Sequence, residues 1–272
     1  MKLPVDLNDR PLSYSSLKEF RKSPKHYVKY VTGERIPPSE PQLIGSAFEM
    51  LLLEPERFVK DVFVYQKPNM RSNAGKEEWE QVKKQGEGKL MITEEIESKV
   101  KSMVANTLEC PEMMMYIDAI TAHQVKLSWK HKGMPFIGYV DAEGHLGDDW
   151  CFEIKTTASA DPEDFNRDIF KWGYNMQIGA YAEGYHRSKY KFPNFAFLVF
   201  ETSEPYNCAP IMVDAKQLDL MRQEWQGTVQ AFKYCMDNEL FNQGYEFRLQ
   251  TRDYFSVQKP GYYKPKFMPE DG

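Results

Sequence analysis

Apolar positions recur at helical spacing in some stretches and alternate in others, and these two periods lay out the elements of the chain. Leu17 and Phe20 follow Ser13 at helical spacing, so Ser13 reads as an N-cap, and Pro24 ends that helix or starts the next. Ile44, Ala47, Phe48, Leu51 and Leu52 make the apolar face of a further helix, with Gly45 and Ala47 permitting close approach of another element. Glu49 stands inside this run, and periodicity places it slightly toward solvent. Val62–Tyr65 reads as a short strand, and the polar stretch 68–90 holds a helix anchored by Trp79. Residues 93–117 open on a Thr-Glu-Glu-Ile cap and continue as the stripe Val100, Met103, Val104 and Leu108, the pattern of a core helix.

The second half alternates. Residues 124–131, 135–143 and 150–157 are rich in β-branched and aromatic side chains and read as strands. A Gly/Asp turn joins the last two into a hairpin. Pro162 opens a long helix reaching to about residue 187, which carries Trp172, Tyr174, Gln177, Ile178 and Tyr181. Residues 195–201 and 209–213 are two more strands, and Asp214 caps a last helix ending near residue 240. This order predicts an α/β fold with a central mixed β-sheet flanked by helices.

The 272-residue chain is 42% hydrophobic and 28% charged, an ordinary globular composition. No apolar run reaches the roughly 20 residues that span a bilayer, and the first residues lack the apolar core of a signal peptide, so a cytoplasmic protein with no membrane contact is expected. The formal net charge of −5 argues against coating nucleic acid by bulk charge but leaves room for local basic patches. One such patch is the tail 245–272, where Arg248, Arg252, Lys259, Lys264 and Lys266 stand against a single acid, Asp253, between Arg248 and Lys266. Cys110, Cys151, Cys208 and Cys235 lie far apart with no C-x-x-C pair, the pattern of incidental thiols.

Candidate chemistry concentrates on the hairpin. Glu153 and Lys155 point to one face of their strand while Ile154 points to the other, and Asp141 projects toward the same surface from the neighbouring strand. Bringing two carboxylates and a lysine together costs desolvation. A hard divalent cation held by oxygen ligands, Mg²⁺ or Mn²⁺, offsets that cost. A cross-strand salt bridge on a solvent-facing hairpin explains the same residues equally well. Around Ser13, the hydroxyls of Ser13 and Ser15 and the cation of Arg21 sit near a helix start, a favourable place for a phosphate, although a capped surface helix is the simpler reading of that stretch. Arg71 and Lys76 belong to a mixed-charge segment that suits a solvated face as well as a DNA-facing loop.

Asp141, Glu153 and Lys155 form the pattern D-x₁₁-E-x-K, which resembles the PD-(D/E)xK nuclease motif. Gly138 completes the G-x-x-D of the RecB-like branch, Gln177 and Tyr181 its Q-x-x-x-Y, and Gly45 and Glu49 its G-x-x-x-(H/E). Ser-Tyr-Ser-Ser-Leu followed by Ser-Pro-Lys-His-Tyr is similar to the N-terminal motif of these enzymes. Gly-Ser-Ala-Phe-Glu-Met-Leu-Leu-Leu-Glu-Pro and Glu-Ile-Lys-Thr-Thr most resemble phage and prophage exonucleases of the RecE (exodeoxyribonuclease VIII) type, related to λ exonuclease. Four pieces in order, on the predicted elements, favour the nuclease over the salt bridge.

The resemblance implies a restriction-endonuclease-like core in a single nuclease domain over 1–272, with 60–120 as a helical insertion and 245–272 as a basic and aromatic tail. It implies catalytic roles for Asp141, Glu153, Lys155, Gln177 and Tyr181, and one or two Mg²⁺ or Mn²⁺ ions held by Glu49, Asp141, Glu153 and the Ile154 carbonyl. Ser13, Ser15, Arg21, Arg71 and Lys76 are its candidate DNA contacts. Many RecE-type enzymes have His where Glu49 stands, which retunes metal preference rather than abolishing binding. Some relatives carry an iron–sulfur cluster on four cysteines; this chain has Ser23 in the corresponding motif, and no cluster is expected. The implied activity is a Mg²⁺-dependent exodeoxyribonuclease on double-stranded DNA ends, 5′→3′, leaving 3′ overhangs for recombination beside an annealing protein. A homo-oligomeric ring goes with it. The alternatives are an endonuclease or single-strand nuclease of the same fold, or a non-catalytic DNA-binding module.

Overall fold

The computed structural model describes residues 1–34 and 36–248, so the expected tail falls, from residue 249 onward, outside the described residues. In chain order the elements are α1 (Tyr14–Lys22), α2 (Pro24–Thr32), α3 (Glu40–Leu53), α4 (Pro55–Asp61), β1 (Val62–Tyr65), α5 (Asn73–Gln85), β2 (Leu90–Thr93), α6 (Glu94–Leu108) and α7 (Pro111–Asp118). Then follow β3 (Ile120–His131), β4 (Met134–Leu146), β5 (Asp148–Thr157), α8 (Pro162–Trp172), α9 (Tyr174–Lys189), β6 (Asn194–Glu201), β7 (Cys208–Val213) and α10 (Ala215–Asp237).

Among the described residues, five strands form one sheet in the order β3-β4-β5-β6-β7. Only the β5–β6 pair is parallel; the other neighbours are antiparallel, which makes the sheet mixed as its sequence predicted. β6 is buried continuously from Phe195 to Phe200, the mark of a strand covered on both faces. Its side chains alternate between two cores. Phe195, Phe197 and Val199 join Cys151 in one core, with α9, α10, α1 and α2. Ala196, Leu198 and Phe200 join Phe152 and Ile154 in the other, with α3 and α6. Each buried Phe contributes roughly 1.5–3 kcal/mol, so β5 and β6 make a firm platform for side chains at their ends. Pro210 lies in β7 at the sheet edge, where its missing N–H costs no ladder bond. The stretch 60–120 carries α5, α6, α7 and a separate parallel pair, β1–β2, which packs on α3.

Two helices end sooner than their periodicity suggests. The long helix from Pro162 breaks at Gly173, whose φ of 78° is left-handed, so that α8 and α9 are separate helices. The helix from residue 93 stops at Leu108, and Pro111 opens α7. Pro24 starts α2 rather than ending α1, because the Ser23 hydroxyl accepts from the His26 N–H as its cap. The segment before α1 is tied to β4: Leu12 N–H donates to the Pro135 carbonyl at 2.9 Å, and Ile137 N–H to the Leu12 carbonyl at 2.8 Å. That bridge fixes where α1 begins.

Candidate active site

The β4–β5 ladder stops at the pair Ala142–Phe152. One residue beyond it stand Asp141 and Glu153, where the strands part: β4 continues against β3, and β5 against β6. The fork is closed by a side chain instead of the backbone, with the Ile154 N–H donating to Asp141 Oδ2 at 2.9 Å. An unpaired N–H beside a strand end would otherwise cost free energy, so the carboxylate is held firmly at the position where the ladder ends.

Glu153 is fully buried on the α9 side. Its Oε2 accepts from Lys155 Nζ at 2.8 Å and from Gln177 Nε2 at 2.7 Å. Lys155 Nζ also stands 3.5 Å from Asp141 Oδ2, so a single ammonium bridges the two acids. Gln177 and Tyr181 lie one turn apart on α9, and Gln177 Nε2 reaches Tyr181 Oη at 3.4 Å. The Tyr181 ring lies against the backbone of Gly138, where a Cβ would come within 2.7 Å of it. The glycine of G-x-x-D and the tyrosine of Q-x-x-x-Y therefore meet in space.

Glu49 comes from α3, on the other core. It is half-buried rather than turned to solvent, and it accepts a hydrogen bond from Gln124 Nε2. Gln124 was not singled out by the sequence. It sits in β3 between the pairs His123–Ala142 and Val125–Val140, with φ at 47°, a strained value for a side chain with a Cβ. A polar residue in an alternating strand carries no signal of such a twist, so only the structure reveals that it holds Glu49.

The charges are out of balance. Burial, then the Asp141 carboxylate, pushes Glu153 up to about 8 from an ordinary 4.5. Burial and Asp141 likewise push Glu49 up to about 7, against the Gln124 hydrogen bond. For Lys155, burial works against the charge, but Glu153 and Asp141 outweigh it and hold the ammonium well above its usual range. One cation thus serves three carboxyl groups, and the excess is met by retaining protons. Moreover, Glu153 Oε1 is buried without a hydrogen-bond partner. The donor set of three carboxylates and a strand carbonyl is all oxygen, and together with this orphaned atom it fits a hard divalent cation in kind. Among the described residues no three His, Cys, Asp or Glu side chains stand as a ready-made cage.

A pH dependence follows. A carboxyl with a raised folded-state pKa favours folding while protonated, so its contribution is complete below about 4.5 and is lost as pH rises through about 8. In EDTA, the protein is expected to lose up to about 5 kcal/mol across that window through Glu153. Glu153→Gln, neutral throughout, is expected to flatten the slope; denaturant midpoints of the two proteins against pH measure the difference.

The other residues singled out by sequence are spread more widely. Ser13 uses its hydroxyl to accept from Ser16 N–H at 3.2 Å as the α1 cap, and Ser15 is exposed two residues on, in the first turn. Arg21 pairs with Glu224 of α10. Tyr14 connects α1 to the site region, its hydroxyl donating to the Trp172 carbonyl at 3.2 Å. Arg71 and Lys76 are exposed at the start of α5, among elements of the other core, and share no hydrogen bond or ion pair with the site residues. The structure does not bring those two into the cluster.

Residues 13–244 match a family model described as a PDDEXK-like domain of unknown function (DUF3799). Among solved structures, a "Putative exonuclease" from Eubacterium rectale aligns with a TM-score of 0.59 at 15% identity, covering 93% of this chain and 91% of that one. At that identity the likeness speaks for the fold. A second solved protein, SSO0001, aligns with a TM-score of 0.26 at 13% identity over 53% of this chain and 77% of its own, too little to carry an argument. No curated protein matches the chain. Family and fold together support a nuclease. Among the described residues no helix is long and apolar enough to cross a membrane.

Proposed function

We propose that this chain, which belongs to the PDDEXK-like family DUF3799, is a metal-dependent deoxyribonuclease that acts on the ends of duplex DNA. The observation that carries this reading is the fork between β4 and β5, where Asp141 and Glu153 converge on one ammonium and Glu153 Oε1 is left without a partner. A surface salt bridge has no use for a fully buried, half-satisfied carboxylate, and a plain DNA binder would gain by losing carboxylates that repel phosphate.

Glu49, Asp141, Glu153 and the Ile154 carbonyl are the groups that would hold one or two Mg²⁺ or Mn²⁺ ions. When bound, the metal supplies polarisation of the phosphoryl oxygens and acidification of a bound water. The chain's own residues do the positioning. Gln177 fixes the Glu153 carboxylate through its 2.7 Å hydrogen bond. Lys155, already charged between two acids, orients the attacking water and offsets negative charge gathering on the phosphorane-like transition state. Tyr181 backs Gln177 and keeps α9 in register with β4 at Gly138. Ser15 and Arg21 at α1 are the proposed holders of a neighbouring DNA phosphate.

Exonuclease action, 5′→3′ polarity, a 3′ overhang passed to an annealing protein, and a ring-shaped homo-oligomer extend this proposal on the likeness to RecE-type enzymes. The test is a digest with Mg²⁺ of linear duplex beside covalently closed circular duplex. The expected result is loss of the linear substrate from its 5′ ends with the circle intact. Cutting of the circle would assign an endonuclease of the same fold, and an intact linear substrate would leave only a binding module.

A further inference from the structure

A second feature beside the site shares only Arg21 with the groups assigned above. The end of α8 and the outer face of α1 enclose a groove of about 250 Å³ floored by Gly173 and walled by Lys18, Arg21, Lys22, Phe170, Lys171 and Trp172. Phe170 and Trp172 are 59% and 46% exposed. Residues two apart on a helix ordinarily face different ways. Here α8 ends at Trp172 and the left-handed Gly173 turns the chain, so both rings line one groove.

The walls are cationic in a chain whose net charge is −5. Lys171 Nζ lies 4.7 Å from the centre of the Trp172 ring, and Lys18 Nζ 5.9 Å from that of Tyr14. Among the described residues Lys18 has no carboxylate at ion-pair distance. Burial, then Lys22 nearby, lowers its pKa, which is what crowded cations do. The groove also lies close to the site. Tyr174, the residue after Gly173, carries Lys155 Nζ 5.3 Å from its ring centre, and Tyr14 joins the Trp172 carbonyl to α1.

We propose that this groove binds a single-stranded segment of nucleic acid, its bases stacked on Phe170 and Trp172 and its phosphates against Lys18, Lys22 and Lys171. Open aromatic faces interleaved with cations suit unpaired bases, which expose their own faces; the paired bases inside a duplex do not. An apolar protein partner would leave Lys18 unmatched, whereas Lys22 and Lys171 already have Glu19 and Asp168 at 2.7 and 3.9 Å. The placement beside Lys155 gives the strand its role only if the nuclease reading holds, but binding itself stands apart from hydrolysis. On that reading the groove takes a frayed strand at a duplex end.

The experiment is fluorescence anisotropy of a labelled oligothymidylate of roughly 12 nucleotides, titrated with the full chain in EDTA so that nothing is cut. Phe170→Ala and Trp172→Ala are each expected to weaken binding about tenfold, and Trp172→Phe to retain most of it. Lys18→Ala is expected to lower the slope of log affinity against log salt by about 0.7. Circular dichroism and the melting midpoint confirm that these exposed positions leave the fold intact. Wild-type affinity in the double Ala variant, or no binding by the wild type, overturns the proposal. So does self-association that the aromatic substitutions abolish without changing oligonucleotide affinity, which would give the groove to a second copy. A parallel digest separates the two readings. If wild type cuts DNA and the variants bind undiminished, only the groove fails. If wild type cuts nothing but binding depends on the rings, only the nuclease fails.

Discussion

Lys155→Ala is expected to lower the rate of DNA hydrolysis by at least about 10²–10³-fold, with the protein still folded. Lys155 is the sole cation within ion-pair distance of Asp141 or Glu153 among the described residues, at 3.5 and 2.8 Å. No neighbour can take over its place beside the reacting phosphate. Removing one partner of a buried pair usually costs about 3–5 kcal/mol. Here the loss is cushioned, because Glu153 and Glu49 already favour protonation and can become neutral instead of remaining buried and charged. Folding should therefore survive at neutral pH while catalysis does not. Single-turnover digestion, paired with circular dichroism, checks both halves. Lys155→Arg should fail to rescue, since a planar fork does not replace a compact ammonium held between two carboxylates.

The second large effect is expected for Asp141→Asn. The amide oxygen of Asn can still accept from the Ile154 N–H, now at 2.9 Å, so the fork should keep its geometry. What is lost is one negative charge beside Glu153 and Lys155. Mn²⁺ affinity measured by calorimetry is expected to fall at least about 10–100-fold, a loss that charge removal at a metal site readily exceeds. With the Asp141 charge gone, Glu153 should also ionise more readily, because that charge is the second cause of its raised pKa. Unchanged Mn²⁺ affinity would place the cation elsewhere.

Much of this arrangement could be read from residues alone, for identifiable reasons. The two-residue strand period put Glu153 and Lys155 on one face without tertiary information, and the hairpin brought Asp141 alongside. Gly138 with Tyr181 was legible only as a motif; that the two touch is a matter of tertiary packing. Glu49 was read slightly outward, since helical periodicity sees only its own element and not the Gln124 amide or the Asp141 charge that meet it from the sheet. Gln124 itself was invisible, because nothing in the local pattern of a strand signals a left-handed residue. The Gly173 break was missed because one glycine within a helical pattern is usually tolerated. With it went the groove, whose two rings converge only where α8 stops.

The central claim is that the fork between β4 and β5 is a metal site built by Glu49, Asp141 and Glu153. Its most direct test is anomalous diffraction from crystals of the protein soaked in Mn²⁺. The account predicts an anomalous peak within ligand distance of Asp141 and Glu153, against the Ile154 carbonyl, with Glu153 Oε1 among the ligands. A peak elsewhere, or none at this fork in a protein that still cuts DNA, would contradict it.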